Sequence, residues 1–408
     1  MQRLDQHYDG VLGTSLDLTI YAADLNRMET AAAMVVEEIS RLEQILSTYR
    51  EDSELMQLNR TRSSSQASGT LLDVVRHCED WFDRTGGNFS CRLGQVLALW
   101  DAAEENQQIP SIVNMLPPAK AASEGEITLN PEQQFIELDA AISLEPSGLA
   151  KGYIIDKAMA LLRRELPQAP AIKVDIGGDA SYWGAPPGEN GWLVHAADPQ
   201  AIADNGNYIT SVSLNSRAIA TSGHTSRTRS IASRQFSHIL VPQRGWPVAN
   251  GIYAVVVAPD ALTADAVATA LAVQSIGAGI AWVDSVDDVE ALLIDTNGTQ
   301  RASRNWQTLL SEDLLQKANA RIELTMNFTI PDINERDYER PYVAVWISDA
   351  EGRAIKNLLL LGGEERWART NSRWWRSASD LRMYNVTRPT RGPGEYQLTW
   401  DGRDDYGV

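Results

Sequence analysis

Cysteine is nearly missing from this chain: two residues in 408, Cys78 and Cys91. They can form at most one bridge. There is no CxxC pair and no zinc spacing, and so sparse a usage assigns no redox compartment. Long apolar runs are also missing. The longest apolar region, residues 251–283, is interrupted by Asp260 and Asp265, so it does not read as a membrane span. The opening MQRLDQHYDG has neither a basic n-region nor an apolar h-region, so no secretory signal is visible. The chain therefore reads as cytoplasmic or as one whose leader lies outside this sequence. Positive charge is scarce: 36 Lys and Arg face 54 Asp and Glu, a formal net charge of -18. Such a surface repels phosphate backbones and excludes a nucleic-acid partner. An anionic ligand must then be held by a local device, namely a metal ion, a helix N-terminus or a single Lys. Repeats and low-complexity segments are absent as well.

What is present is an ordinary globular composition, 43% hydrophobic and 22% charged. At roughly 100–200 residues per domain, two or three domains are expected. Residues 16–22 alternate as a strand, and Met28 to Leu46 carries helical spacing. A second helix is expected over 69–84, stopped by Gly86-Gly87, and residues 89–100 lead into a short one. Residues 102–125, polar and proline-containing, read as a surface excursion. Short strands are expected over 135–144, a strong helix over 150–166, and strands at 172–176, 192–196, 208–214, 218–221, 237–241 and 253–258. A nearly all-apolar helix follows over 262–276, and a last strand of this unit over 291–295. The order is not a regular βαβ alternation, so the fold class is α+β with mainly antiparallel sheet. Residues 311–320 read as a helical linker. From 321 onward, short strands between Gly, Pro and Asp turns predict a small all-β sandwich. Its last strand is expected to be missing, because the sequence ends on a turn signal.

Five segments can carry chemistry. In TADAVATALA, Asp265 and Thr269 lie four apart on one helix face. A carboxylate in so apolar a helix needs a partner or a metal. Carboxylate plus hydroxyl is hard-oxygen chemistry, suited to Mg²⁺ with phosphate oxygens; the alternative is a first-turn Asp favouring the helix dipole. In EPSGLAKGYIID, Ser147 can cap a helix starting near Leu149, whose N–H groups suit an anion, and Lys151 can reach a phosphate. A plain capped helix with a solvated Lys fits the same residues. VDIGGD places two glycines after a strand, for a tight turn or a close ligand approach; it lacks the third glycine of a dinucleotide fingerprint. His238, in the apolar FSHILVP, can act as a general base or be a satisfied core histidine. In STYREDSELMQLN, Tyr49 can stack on a flat ring and Asp52 or Ser53 can cap the next helix; a plain helix–turn–helix joint is the other reading.

In one order, VLGTSLDL, LSTYREDSELMQLN, GGNFSCRLGQVLALW, SGLAKGYIID, VDIGGD, GWLVHAADP, IATSG, SHILVPQRGWPV and TADAVATAL resemble the blocks of the ApbE family, the FAD:protein FMN transferases, over roughly residues 8–300. The resemblance implies an enzyme that splits the FAD diphosphate, attaches FMN to a Thr or Ser hydroxyl of an acceptor protein and releases AMP, with Mg²⁺ bridging the diphosphate. It implies metal ligands at Asp265, Thr269 and a backbone oxygen near Gly148. It implies FAD contacts at Leu12, Tyr49, Asn88, Phe89, Ser90, Glu145, Lys151 and Leu240, and His238 as the base that deprotonates the acceptor. Three positions depart from the family pattern. Ser90 and Val241 stand where an Asp is usual, and Glu145 replaces Asp with a longer acid. These departures bear on turnover, so a non-catalytic FAD-binding scaffold and an FAD diphosphatase giving FMN and AMP are the rival readings.

YVAVWISDAEG, ERWARTNSRWW and TRGPGEYQLTWDGRDDYG resemble the DUF2271 family. The implied division is 1–310 for the transferase domain, 311–320 for a linker and 321–408 for the β domain. Trp374 and Trp375 can form a binding patch or pack a core. No S-G-A-T-type acceptor sequence occurs, so the acceptor is expected to be a separate protein. The family resemblance implies a periplasmic or cell-envelope location, with membrane attachment only through a lipid anchor outside this chain.

Overall fold

The computed structural model describes residues 1–198, 208–223, 228–249, 251–311, 324–333, 340–349, 352–362, 370–378, 386–388 and 390–400. An eight-stranded sheet forms its frame: β1 (Gln2–Val11), β2 (Thr14–Ala22), β3 (Ala171–Ile176), β4 (Asp179–Gly184), β5 (Ala218–Ser222), β6 (Tyr253–Ala258), β7 (Glu290–Ile294) and β8 (Gln300–Ala302). Spatial order follows chain order, and every pairing is antiparallel. The α+β expectation with mainly antiparallel sheet therefore holds.

Period-two alternation splits the sheet into two faces. Leu16, Leu18 and Ile20, with Ile172, Val174, Ala254 and Val256, point to the helices. Tyr182, Ile219, Val255, Val257 and Leu292 point to the hairpin Trp192–Ala197/Tyr208–Leu214 and to Trp306. On the first face lie α1 (Leu25–Leu46), α2 (Glu54–Thr61), α3 (Gly69–Arg84), α6 (Ser147–Glu165) and α7 (Ala261–Ala272), followed by α8 (Ile276–Val283). A separate lobe is built by α4 (Gly94–Glu105) and α5 (Ile112–Glu124) against Ile231, Phe236, Leu240 and Trp246.

Several sequence expectations need correction. β1 was not foreseen. The expected surface excursion at 102–125 is largely helical. α5 contains Pro117 and Pro118, yet Ser111 caps it by accepting from the Asn114 N–H at 3.2 Å, and Met115, Ala119 and Ala122 bury one stripe. Packing of that stripe outweighs the lost backbone donors. The strand expected over 237–241 is two strands, Arg234–Ser237 and Leu240–Val241, because the Ser237 hydroxyl accepts from the Ile239 N–H at 3.1 Å and turns the chain. His238 thus sits on a bend. The helix expected over 262–276 ends at Ala272, and Ser275 caps a new one. β7 is not the last strand, since β8 follows it, and only 135–138 of the region 135–144 is a strand.

Farther along, Leu324–Ile330 pairs with Gly394–Trp400, and Ala354–Leu361 lies between Val343–Ser348 and Thr387–Arg388. The two sheets enclose Ile330, Leu358, Leu359, Leu361 and Leu398, as a small sandwich requires. Strand Ala354–Leu361 and a helix at Ser372–Ala378 were not foreseen. Trp374 belongs to the core: it is buried, and its Nε1 donates to Asn357 Oδ1 at 2.8 Å. The expected linker at 311–320, apart from Ser311, and the expected missing last strand lie outside the described residues.

Candidate active site

The site forms where α6 crosses α7. Gly152 makes the crossing possible: a Cβ there would lie 2.3 Å from the Ala261 carbonyl oxygen. α7 is Ala-rich because it is buried nearly all round. Its N-terminus is held twice over. Asp260 accepts from the Thr263 N–H at 2.7 Å, and the Asp156 carboxylate of α6 accepts from the Ala261 and Leu262 N–H groups at 2.8 and 2.9 Å. Burial pushes the Asp156 carboxyl up to about 7, against the pull of those two bonds.

Asp265 is one turn into α7, so the first-turn dipole reading does not apply. Its side chain is 7% exposed, and its Oδ2 accepts from the Gly152 N–H at 3.1 Å. Burial first, and the nearby Asp179 second, push its carboxyl up to about 7; Lys151 and the Gly152 N–H oppose the rise. On the same face, the Thr269 hydroxyl lies 3.4 Å from the Gly148 carbonyl oxygen, which comes from the first turn of α6. The region therefore offers carboxylate, hydroxyl and carbonyl oxygens from two helices in direct contact. This donor set fits a hard divalent cation. An octahedral shell of about 2.1–2.5 Å radius separates adjacent oxygens by about 3.0–3.5 Å. Among the described residues no group of three or more His, Cys, Asp and Glu could hold a metal ion. One carboxylate alone leaves room for ligand oxygens in the shell.

Lys151 does not point free into solvent. Its ammonium pairs with Asp179 Oδ2, and the other oxygen of Asp179 accepts from the Thr221 N–H at 2.9 Å. Asp179 is 2% exposed, and burial pushes its carboxyl up against Lys151. Asp179 follows Gly177 and Gly178, both at positive φ, and the Gly177 N–H donates to the Ser15 carbonyl at 3.1 Å. This places the Gly-Gly turn beside the hairpin turn that carries Leu12, itself at φ 51.

Ser147 is not the helix cap. α6 begins at Ser147 itself with Pro146 in the cap position, and the Ser147 hydroxyl donates to Glu145 Oε2 at 2.6 Å. Burial raises the Glu145 carboxyl above its usual range against that bond. The Glu145 N–H donates to the Cys91 carbonyl at 2.6 Å, tying it to the Asn88–Ser90 segment. Asn88 donates to the Thr85 carbonyl at 2.9 Å, and the Phe89 ring borders Gly148, 3.1 Å from where a Cβ would stand. The Ser90 hydroxyl accepts from the Arg92 N–H at 3.2 Å. Gln243 donates to the Gly87 carbonyl at 2.9 Å, joining the His238–Gly245 stretch to this segment. Leu240 is buried in the α4–α5 lobe, whereas Val241 and His238 are partly exposed. Tyr49 lies on the turn before α2, 90% exposed, and there Ser53, not Asp52, is the cap.

A model of the ApbE family matches residues 12–293, more than two thirds of the sequence. The chain belongs to the ApbE family. Residues 323–408 match a family described as "Predicted periplasmic protein (DUF2271)". Relatives named FAD:protein FMN transferase include one from Escherichia coli K12, 28% identical over 271 residues, covering 64% of this chain and 76% of the relative. Another, from Klebsiella pneumoniae, is 24% identical over 295 residues, covering 71% and 89%. The ApbE protein of Thermotoga maritima shares the fold at a TM-score of 0.70 and 23% identity, over 76% of this chain and all of that one. The Vibrio cholerae flavin transferase ApbE does so at 0.62 and 22%, over 76% and 99%.

Within this ApbE fold, two residues escaped the sequence reading. Asp179 was visible only as the end of a Gly-Gly turn. Asp156 follows Tyr153-Ile154-Ile155, and a carboxylate beside so apolar a stretch was the available signal.

Proposed function

We propose that this chain is a Mg²⁺-dependent FAD:protein FMN transferase, moving FMN from FAD to a Thr or Ser hydroxyl of a separate acceptor protein. The observation that carries the reading is that, in an ApbE fold, the α6–α7 crossing brings the Thr269 hydroxyl to 3.4 Å from the Gly148 carbonyl, with Asp265 one turn earlier on α7 and bonded to the Gly152 N–H. Asp265, Thr269 and the Gly148 carbonyl would hold Mg²⁺, whose charge neutralises the diphosphate in an otherwise acidic protein. The α6 N-terminus adds a fixed positive dipole, and Lys151 would serve the phosphate only in competition with its partner Asp179. Asn88, Phe89, Ser90, Glu145, Leu12, Tyr49 and Leu240 are assigned to the flavin nucleotide. His238 takes the acceptor hydroxyl proton as that oxygen bonds to the FMN phosphorus; the bond to the AMP phosphate breaks and AMP leaves. The work is positioning and charge stabilisation, as in other phosphoryl transfers.

The family described as periplasmic at 323–408 supports an envelope location. Among the described residues no helix is long and apolar enough to cross a membrane, and a lipid anchor would be the means of membrane attachment. We assign 1–310 to the transferase unit and 321–408 to the β domain, joined by 311–320. The test is incubation with FAD, Mg²⁺ and a Thr-containing acceptor. AMP release with a matching FMN mass on the acceptor is expected, and the reading fails if neither appears. Val241, where the family pattern has an Asp, favours one rival: water as acceptor, seen as free FMN without any acceptor present.

A further inference from the structure

Cys78 of α3 and Cys91 form a disulfide, and both are fully buried. Among the described residues no free cysteine remains. The next residue along each arm is paired too: Arg92 Nε donates to Glu79 Oε1 at 3.0 Å, and the Arg92 guanidinium covers the Phe82 ring at 4.1 Å. The stretch between these staples turns on Gly86 and Gly87, both at positive φ, and then presents Asn88, Phe89 and Ser90. Two glycines in a turn supply freedom, not rigidity. The bridge supplies the missing restraint at the far end, and the Cys91 carbonyl passes it on by accepting from the Glu145 N–H. The buried Phe89 ring passes it to Gly148.

We propose that the Cys78–Cys91 bridge is a positioning element of the flavin site, so that the oxidised chain binds FAD more tightly than the reduced one. This rests on the transferase reading, because Asn88 to Ser90 and Glu145 are its nucleotide contacts. Thiol exchange with a dithiol such as dithiothreitol opens the bridge: two electrons pass to the protein sulfurs, which become two thiols, and the reagent leaves as a cyclic disulfide. With the Glu79–Arg92 pair still available to hold the two arms, the expected result is a folded chain whose Asn88–Ser90 segment is looser. The proposal requires an oxidising compartment, where such a bridge persists.

The test measures FAD affinity with Mg²⁺ for the air-oxidised protein, the dithiothreitol-reduced protein and Cys78→Ala/Cys91→Ala, with thiol titration in denaturant and near-ultraviolet dichroism as controls. Reduction is expected to weaken FAD binding about tenfold or more, the scale of losing a supporting partner behind a ligand-contacting residue. The double variant should match the reduced protein and ignore the reagent. A purely structural bridge would lower the melting temperature and leave the affinity of the folded protein unchanged. Affinities within twofold in both states, or two free thiols in the air-oxidised protein, overturn the proposal. Should the double variant fail to fold, the reduced wild-type protein decides. Binding of no FAD in either state overturns the transferase reading itself, which separates the two failures.

Discussion

The α6–α7 crossing and the middle of the β1–β2 hairpin both bury charge, and they treat it in opposite ways. At the hairpin, His7 is 5% exposed; its Nδ1 lies 2.8 Å from Asp17 and its Nε2 3.4 Å from Asp9. Burial works against the charged ring, but the hydrogen bonds to Asp17 and Asp9 and their negative charge outweigh it and raise the His7 pKa to about 9. Asp9 is correspondingly held low, chiefly by His7. It also accepts from the Tyr342 hydroxyl at 3.2 Å, a contact from beyond residue 323. Here every buried charge meets an opposite one. At the crossing, Asp265 and Asp156 are both pushed up to about 7, and Lys151, already paired with Asp179, is the cation that Asp265 must share. A compensated buried charge is architecture; an under-compensated one marks a place where a proton or a ligand can be taken up.

That contrast can be broken at four points. Asp265→Ala should cut FMN transfer by about 10²–10³, the usual cost of one electrostatic element, with the melting temperature unchanged or higher. AMP release and a thermal melt measured together decide this, and a parallel loss of fold would erase the distinction drawn above. The hairpin should behave in reverse. Because the folded pKa of His7 lies above its unfolded value near 6.5, its stabilisation is complete below about pH 6.5. It is lost as pH rises through about 9, amounting to at most about 3 kcal/mol. Urea midpoints of the wild-type protein and His7→Gln across pH 6 to 10 should therefore converge at the alkaline end. Asp156→Ala removes the second cap of α7 and should cost about 0.5–2 kcal/mol in the same assay. Tyr342→Phe should cost about 1 kcal/mol, read as a small fall in melting temperature with transfer activity intact.

The sequence was most legible where pattern and burial coincide. α3 was bounded correctly at both ends, since Gly86-Gly87 stops it and Leu71, Leu72, Val74, Val75 and Cys78 mark its inner face. β6 reads directly as the apolar run YAVVVA. β1 was illegible because QRLDQHYDGV buries only Leu4 and His7 and gains its place by pairing with β2. α5 was hidden by its prolines. At the site, Asp265, Thr269, Gly148 and Lys151 were visible as residue types at helical spacing. Asp179 was not, because its role depends on a partner 28 positions earlier and on burial, neither of which local periodicity encodes.

Gly152 has a mechanical consequence. With backbone touching backbone at the Ala261 carbonyl, no side chain lies between the two helices at that point to act as a compliant spacer. The gap between the Gly148 carbonyl and the Thr269 hydroxyl is therefore gauged by two rigid rods in contact together with the single χ1 of Thr269. A vise closed in this way has little slack. Even the methyl of an alanine at 152 would spread its jaws before it unfolded the protein.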